Sequence, residues 1–220
     1  MPTRYACAMA APPRPNGPFR SRWTFFRQWL KDPVSVSSIS PSSPHLARRM
    51  LDELPADARR VVELGAGTGV FTSALLEHGI RPEDLLVVEL NPALVDLLRQ
   101  NFPEARVVHG DARDVRRLAG EAGFLDGGPA DAVFSGLGML AMGQQAQREV
   151  LEAAFELTRD GGSFIQFTYG HTNPVSPVVL AELGLHVRRG ELAWRNLPPA
   201  TVFVFNRGRS THVRPRSIAP

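Results

Sequence analysis

From residue 44 onward the chain alternates between two kinds of hydrophobic pattern. "RRVVELG", "DLLVVEL", "ARVVHG", "ADAVFSG" and "GSFIQFTYG" are short apolar runs rich in Val, Leu, Ile and Phe, which predicts strands buried on both faces. Between them, "SSPHLARRMLDEL", "TSALLEHG", "ALVDLLRQNF", a short stretch near Asp114 to Ala119 and a longer one from about Gln144 to Thr158 space their apolar residues as helices do. Ser43 as N-cap and Pro44 at the first helical position open the first of these helices, and Gly79 stops the second. Regular alternation of strand and helix predicts right-handed crossovers and a mainly parallel sheet. The ending departs from that rhythm. In "LHVRRGELAWRNLPPATVFVFNR" two strand-like runs, Leu185 to Trp194 and Ala200 to Asn206, are separated only by "RNLPP", so an antiparallel hairpin is expected on the edge of the sheet, with Asn196 to Pro199 as its turn.

The region ahead of this body reads differently. Residues 1–17 are rich in proline and low in complexity, a disordered leader. Residues 18–43 hold "FRSRWTFFRQWLK" followed by the serine-rich link "SVSSISPSS". On a helix, Phe19, Trp23, Phe26 and Leu30 fall within about 60° of one another, Phe25 and Trp29 widen that face, and Arg20, Arg27 and Lys31 stand opposite or beside it. Only Arg22 intrudes. Such a helix can lie in a lipid interface, where its apolar groups and cations would gain on the order of 10 kcal/mol before ordering costs. The alternative is a core helix that packs over the sheet or caps the cofactor, and the two can hold in turn. Residues 44–207 are the expected folded domain, and 208–220 a basic, disordered tail.

Composition sharpens this picture in three ways. A chain of 220 residues, 43% of them hydrophobic, can bury one sizeable core. The net charge of +3 hides a polarity: six of the 25 basic residues lie in 1–31 and four in 207–220, leaving 15 basic against all 22 acidic residues between them, a balance of −7. Basic ends on an acidic body suit an anionic surface, lipid or nucleic acid, unless they are merely solvated tails. No apolar run approaches the ~18 residues of a membrane span and the leader lacks a signal-peptide core, so a cytoplasmic location is expected. Cys7, the single cysteine, allows neither an internal disulfide nor a cysteine metal cluster, and no metal site is expected.

The strongest motif is "VVELGAGTG", Val61 to Gly69, a strand running into a glycine loop that lets backbone approach a nucleotide-like ligand. Gly65, Gly67 and Gly69 give GxGxG, whereas a dinucleotide fingerprint would place its third glycine where Val70 stands. Glu63, just before the glycines, suits a cationic methionine moiety better than a pyrophosphate. Glu89, in "LLVVELNP", ends the second strand, where an acid can accept hydrogen bonds from both ribose hydroxyls. Asp111, in "VVHGDA", ends the third, where a carboxylate can reach an adenine amino group. Read singly, either acid is also an ordinary cap or loop residue. Together the set resembles motif I and the strand-end acids of S-adenosylmethionine-dependent methyltransferases. The resemblance implies an α/β, class I methyltransferase (Rossmann-like) fold with a seven-stranded, mainly parallel sheet, a terminal antiparallel hairpin and an N-terminal amphipathic helix. It also implies S-adenosylmethionine as cofactor, held by Glu63, Gly65, Ala66, Gly67, Gly69, Glu89, Leu90, Gly110, Asp111, Ala112, Ser135 and Gly136.

After the fourth strand comes "FSGLGMLAMG", where adenine methyltransferases carry a loop of Asn or Asp, prolines and an aromatic that grips the planar base. Here the acceptor loop reads as apolar and flexible. "FFRQWLKDPVSVSSISPSSPHLARRM", "VVELGAGTGVFT", "SGLGML" and "IQFTYGHTNPV" together resemble the soluble, membrane-associating bacterial phospholipid N-methyltransferases, from about Phe19 to Arg207. That resemblance implies stepwise methylation of phosphatidylethanolamine towards phosphatidylcholine, with an aminophospholipid as substrate and Leu137, Met139 and Leu140 as the substrate loop. It also implies peripheral attachment to the inner face of the cytoplasmic membrane, an anionic surface, through Phe19, Arg20, Trp23, Phe26, Arg27, Trp29, Leu30 and Lys31. Gly138 stands where proline is expected, which would loosen the loop and admits other aminolipids, such as ornithine lipids. "VELGAGTG", "VVELNP" and "GDA" are shared with ribosomal RNA adenine N6-dimethyltransferases, the second reading. Against it stand the missing adenine loop and the lack of an appended RNA-binding domain, so nucleic acid is not the expected partner. A catalytically idle membrane-binding module that keeps the fold is the third.

Methyl transfer from a sulfonium is an in-line displacement that needs a neutral amine. Tyr169 and His171, just past the fifth strand, are the catalytic candidates. His171 has the ordinary pKa range of a base, and Tyr169 can orient the amine or face its methylated forms as a cation–π ring. Either also reads as a loop residue held by local hydrogen bonds. The link Ser35 to Ser43 is expected to pass over the cofactor mouth, its hydroxyls touching cofactor or phosphate.

Overall fold

The computed structural model describes residues 44–193 and 199–208. The aromatic helix with its membrane-binding residues, the serine-rich link with Ser43, the leader, the Asn196 turn and the tail after Gly208 lie outside the described residues.

The elements run α1 (Pro44–Leu51), β1 (Val61–Leu64), α2 (Val70–His78), β2 (Leu85–Glu89), α3 (Pro92–Asn101), β3 (Arg106–His109), α4 (Val115–Glu121), β4 (Ala130–Ser135), α5 (Gln144–Leu157), β5 (Thr158–Tyr169), α6 (Pro177–Glu182), β6 (Leu185–Ala193) and β7 (Ala200–Arg207). Local chemistry sets several of these limits. Asn91 accepts a hydrogen bond from Ala93 N–H and Pro92 takes the first helical position of α3. Gly79, at φ 106°, closes α2 in the left-handed conformation.

The seven strands lie in the order β3-β2-β1-β4-β5-β7-β6. The first five are parallel, and β7 runs antiparallel to both its neighbours. The expected antiparallel hairpin lies on the edge of the sheet; within it β7 is wedged between β5 and β6, and β6 is the outermost strand. The physical reason lies in the side chains. Val202, Phe203, Val204 and Phe205 of β7 are buried on both faces, whereas Val187, Arg188 and Arg189 of β6 are exposed, as suits an edge strand. Two departures concern β5 and α6. The strand β5 starts at Thr158, ahead of Gly162, where Arg159 is held by Asp131 at 2.5 Å and Asp57 at 3.0 Å. The six-residue helix α6, absent from the sequence reading, opens on Ser176, whose hydroxyl accepts from Val178 N–H at 3.3 Å.

Alternate strand residues feed two cores. Val62, Leu64, Val88, Val133 and Phe164 cluster with α4, α5 and α6, while Val61, Val87, Phe134 and Ile165 cluster with α1, α2 and α3. In the second core the ring of Phe71 meets Phe134 at 5.4 Å and Phe167 at 5.7 Å, both edge-on. Each large side chain buried in this way contributes about 1.5–3 kcal/mol. The amino ends of the strands are closed by charge, with Arg60 paired to Asp84 at 2.7 Å and lying 4.3 Å over the Phe124 ring. The carboxyl ends of the five parallel strands are thereby gathered on the other side, where ligands bind in open α/β sheets.

Candidate active site

The cofactor half is built mainly from backbone. Gly65, Gly67 and Gly69 all have positive φ, at 70°, 58° and 89°, so the turn from β1 into α2 uses a conformation that side chains resist. Glu63, immediately before them, is fully buried. Thr72 donates its hydroxyl to Glu63 Oε2 at 2.7 Å, and Oε1 is buried without a partner. Burial pushes the Glu63 carboxyl up to about 8, against the bond from Thr72, and the charge of Glu89 adds to the rise. An orphaned acceptor beneath a glycine loop fits the cationic methionine end of S-adenosylmethionine.

Glu89 is also buried, and its two oxygens accept from Gly67 N–H and Asn91 N–H, each at 2.9 Å. It thus anchors the glycine loop as well as ending β2. A carboxylate has about four acceptor positions, which leaves room for the ribose hydroxyls expected of it. Leu90 follows with 63% of its surface exposed. Gly110 donates to Glu89 O at 3.0 Å, and a Cβ there would strike the Leu118 side chain. Ala112 is buried.

Asp111 is half-buried and engaged by a residue the sequence reading passed over. Its oxygens accept from Arg113 N–H at 2.9 Å, Nε at 3.0 Å and a terminal guanidinium nitrogen at 2.6 Å. The Arg113 side chain beside it holds the Asp111 carboxyl below its ordinary value. Asp111 is therefore a cap acid in this structure, and an adenine amino group would share it with Arg113.

The acceptor half joins on at β4. Ser135 is fully buried, level with Leu64 on one side and Gln166 on the other, and its hydroxyl accepts from Leu137 N–H at 3.3 Å. Gly136 donates to Leu64 O at 2.8 Å, and a Cβ there would stand 2.5 Å from the carbonyl oxygen of Gly65. The two loops touch at this point, and only glycine fits.

Three expectations for the acceptor half are corrected. The loop is not loose: Gln166 Nε2 donates to Leu137 O at 2.9 Å, and Gln147 Nε2 donates to Met139 O at 2.8 Å. Gly138 has φ −77°, close to what a proline would impose. Met139 is 1% exposed within the core, so it anchors the loop, while Leu137 is half-buried and Leu140 exposed. His171 is exposed, and its Nδ1 lies 2.9 Å from a guanidinium nitrogen of Arg189. A guanidinium only donates, so Nδ1 accepts and the neutral ring carries its proton on Nε2. That arrangement offers no free base. Tyr169 is half-buried, its ring edge-on to Phe167 at 5.5 Å. Thr72 and Gln166 lie inside segments quoted for the resemblance, but their roles, like Arg113, Gln147 and Arg189 themselves, become visible only in three dimensions. Among the described residues no cluster of His, Cys, Asp or Glu could hold a metal ion.

A parallel sheet with an antiparallel penultimate strand, a GxGxG loop and a buried acid beneath it define a Rossmann-like methyltransferase. The chain belongs to the class I S-adenosylmethionine-dependent methyltransferases. Residues 61–162 match the methyltransferase domain family. The ornithine lipid N-methyltransferase of Singulisphaera acidiphila is 33% identical over 149 residues, 66% of this chain and 76% of that protein. The ribosomal RNA small subunit methyltransferase A of Parabacteroides distasonis is 45% identical over only 62 residues, 28% of this chain and 22% of that protein. Among solved structures, the glycopeptide N-methyltransferase MtfA complexed with S-adenosylmethionine superposes with a TM-score of 0.56 at 15% identity, covering 75% of this chain and 94% of that one. The methyl donor of this enzyme is S-adenosylmethionine.

Proposed function

We propose that the enzyme N-methylates the amino head group of a membrane aminolipid, with an ornithine lipid as its first substrate and phosphatidylethanolamine, towards phosphatidylcholine, as its second. The observation that carries this reading is the likeness to an ornithine lipid N-methyltransferase, which extends over three quarters of that protein. The likeness to ribosomal RNA small subunit methyltransferases A spans 61 to 95 residues, at most 41% of this chain, against 66% for the ornithine lipid enzyme. The acceptor side favours lipid on its own terms. The loop after β4, Gly136 to Gly143, carries Leu137, Met139 and Leu140 and no aromatic ring to stack on a flat base.

Bound, S-adenosylmethionine supplies an electrophilic methyl carbon: the amine lone pair forms the new C–N bond as the C–S bond breaks and its electrons return to sulfur. The head-group ammonium gives up one proton to solvent water before attack, so that a neutral amine is the nucleophile. In this reading the Arg189 and His171 pair meets the negative group that an aminolipid carries a few bonds from its amine, and Tyr169 faces the amine. The glycine loop with Glu63, Glu89 and Asp111 holds the cofactor. The aromatic segment Phe19 to Lys31 attaches the enzyme to an anionic membrane surface; no described helix is long and apolar enough to cross a membrane.

The test uses the full chain with methyl-labelled S-adenosylmethionine and, in parallel tubes, ornithine-lipid vesicles, phosphatidylethanolamine vesicles, each with an anionic lipid, and ribosomal RNA. Label is expected in ornithine lipid above phosphatidylethanolamine. Label confined to RNA, or absent from every tube, overturns the proposal.

A further inference from the structure

Gln147 stands on the first turn of α5, 5% exposed, and none of its polar atoms is idle. Its Nε2 donates to Met139 O at 2.8 Å and to Pro174 O at 3.0 Å, with Met142 O further off at 3.4 Å. Its Oε1 accepts from Ser176 N–H at 2.9 Å. The amide orientation is determined by these partners, because a flipped side chain would set oxygen against carbonyls and NH2 against an N–H. One buried side chain therefore binds the loop after β4 and the loop after β5 at once.

Those loops are the two walls of the acceptor half. The first carries Leu137 and Leu140; the second carries His171 and runs into α6. The neighbouring Arg148 reinforces the join, its Nε donating to Glu182 of α6 at 2.9 Å. Nothing else in the fold requires a glutamine here. A hydrophobic residue would fill the space, yet would strand the Pro174 carbonyl and the Ser176 N–H, at about 1–3 kcal/mol for each, and leave Met139 O with only the Met142 N–H.

We infer that Gln147 is a positioning residue that makes the two acceptor-side loops a single rigid body, so that the substrate amine is presented in line with the methyl group. The inference rests on the reading of these loops as the acceptor site. In-line attack tolerates little error, and a displacement near 1 Å from a distant change can lower rate about a hundredfold. A residue joining both walls controls that distance without touching substrate.

Gln147→Met keeps the length of the side chain and removes its hydrogen bonds. S-adenosylmethionine affinity should stay within about twofold, while kcat for the aminolipid falls about tenfold to a hundredfold, with KM changing less. Hydrogen exchange followed by mass spectrometry should quicken in residues 137–142 and 171–176 together. Gln147→Glu provides a test should the first variant fail to fold. Protonated, the acid can accept from Ser176 N–H and donate to one carbonyl; ionised, it faces Met139 O and Pro174 O with nothing to donate. Its turnover relative to wild type should therefore rise as pH is lowered from about 8 to about 6. Unchanged kcat in Gln147→Met, faster exchange in one loop alone, or a flat ratio for Gln147→Glu overturns the inference. Wild-type protein that methylates no aminolipid sinks the substrate reading instead, and the exchange measurement, which uses no lipid, still decides whether the loops are coupled.

Discussion

At the ends of β1 and β2 the site is made of backbone: three glycines at positive φ and amides that reach carboxylates two and 22 residues away. At the ends of β4 and β5 it is made of side-chain amides, with Gln147 and Gln166 joining carbonyls 8, 27 and 29 residues distant. Cofactor binding needs close approach, which favours glycine at fixed short offsets. Acceptor binding needs a wall of particular shape, and many long-range bonds can hold one. The first kind of construction leaves a spacing in the sequence, and the second leaves none.

The sharpest test of this contrast is Glu63→Gln, which keeps the bond from Thr72 and removes the carboxyl that could ionise when the cationic cofactor binds. Binding of S-adenosylmethionine should weaken about a hundredfold by calorimetry. The same change should alter the response of stability to pH. With its carboxyl pushed up from 4.5 to about 8, Glu63 in the cofactor-free fold keeps a proton that the unfolded chain releases. Its contribution to stability is therefore full below the unfolded value and is lost as the pH rises through the folded one. Thermal denaturation between about pH 5 and about pH 9 should fall more steeply for wild type than for Glu63→Gln; parallel curves would place an ionised carboxylate there.

A smaller effect is expected where the two constructions touch. Gly136→Ala drives a methyl group against the Gly65 carbonyl, 2.5 Å away, and should cost about 1–3 kcal/mol of stability and about tenfold in cofactor affinity. A melting loss with unchanged affinity would mean that the glycine loop shifts without harm. The smallest change tests the acceptor wall alone. Gly138 already has a proline-like φ of −77°, so Gly138→Pro should stabilise by about 0.4–1 kcal/mol through the unfolded chain and leave turnover unaltered. A fall in turnover would show that the loop changes shape during the reaction.

Legibility in the sequence followed the same division. The strands β1 to β4, the helices between them and the end of β5 were readable because buried parallel strands and amphipathic helices have different periods. The glycine loop, Glu63, Glu89 and Asp111 were readable because they sit at strand ends. The place of β7 was not, since "ATVFVFNR" specifies a strand buried on both faces without saying between which neighbours. The opening of β5 depends on Arg159 reaching Asp57, 102 residues earlier. Only α6 had a usable signal that went unread, a serine followed by proline at the start of "PVVLAE". The exchange of His171 from base to partner of Arg189 depends on a hydrogen bond between strand and loop that no spacing encodes.

The wedged strand carries a consequence for biosynthesis. During translation β5 emerges with an apolar edge, Phe164, Ile165 and Phe167, whose partner β7 ends about 40 residues later, at Arg207. At ordinary synthesis rates of about 5–20 residues per second the nascent chain holds that edge open for seconds, a template for pairing with another chain. Strand β6 cannot relieve it, because it is made first and pairs with β7, not with β5. The protein therefore carries an exposed pairing edge until β7 leaves the ribosome, when β1 to β4 have all been made and β5 still lacks a neighbour on one side.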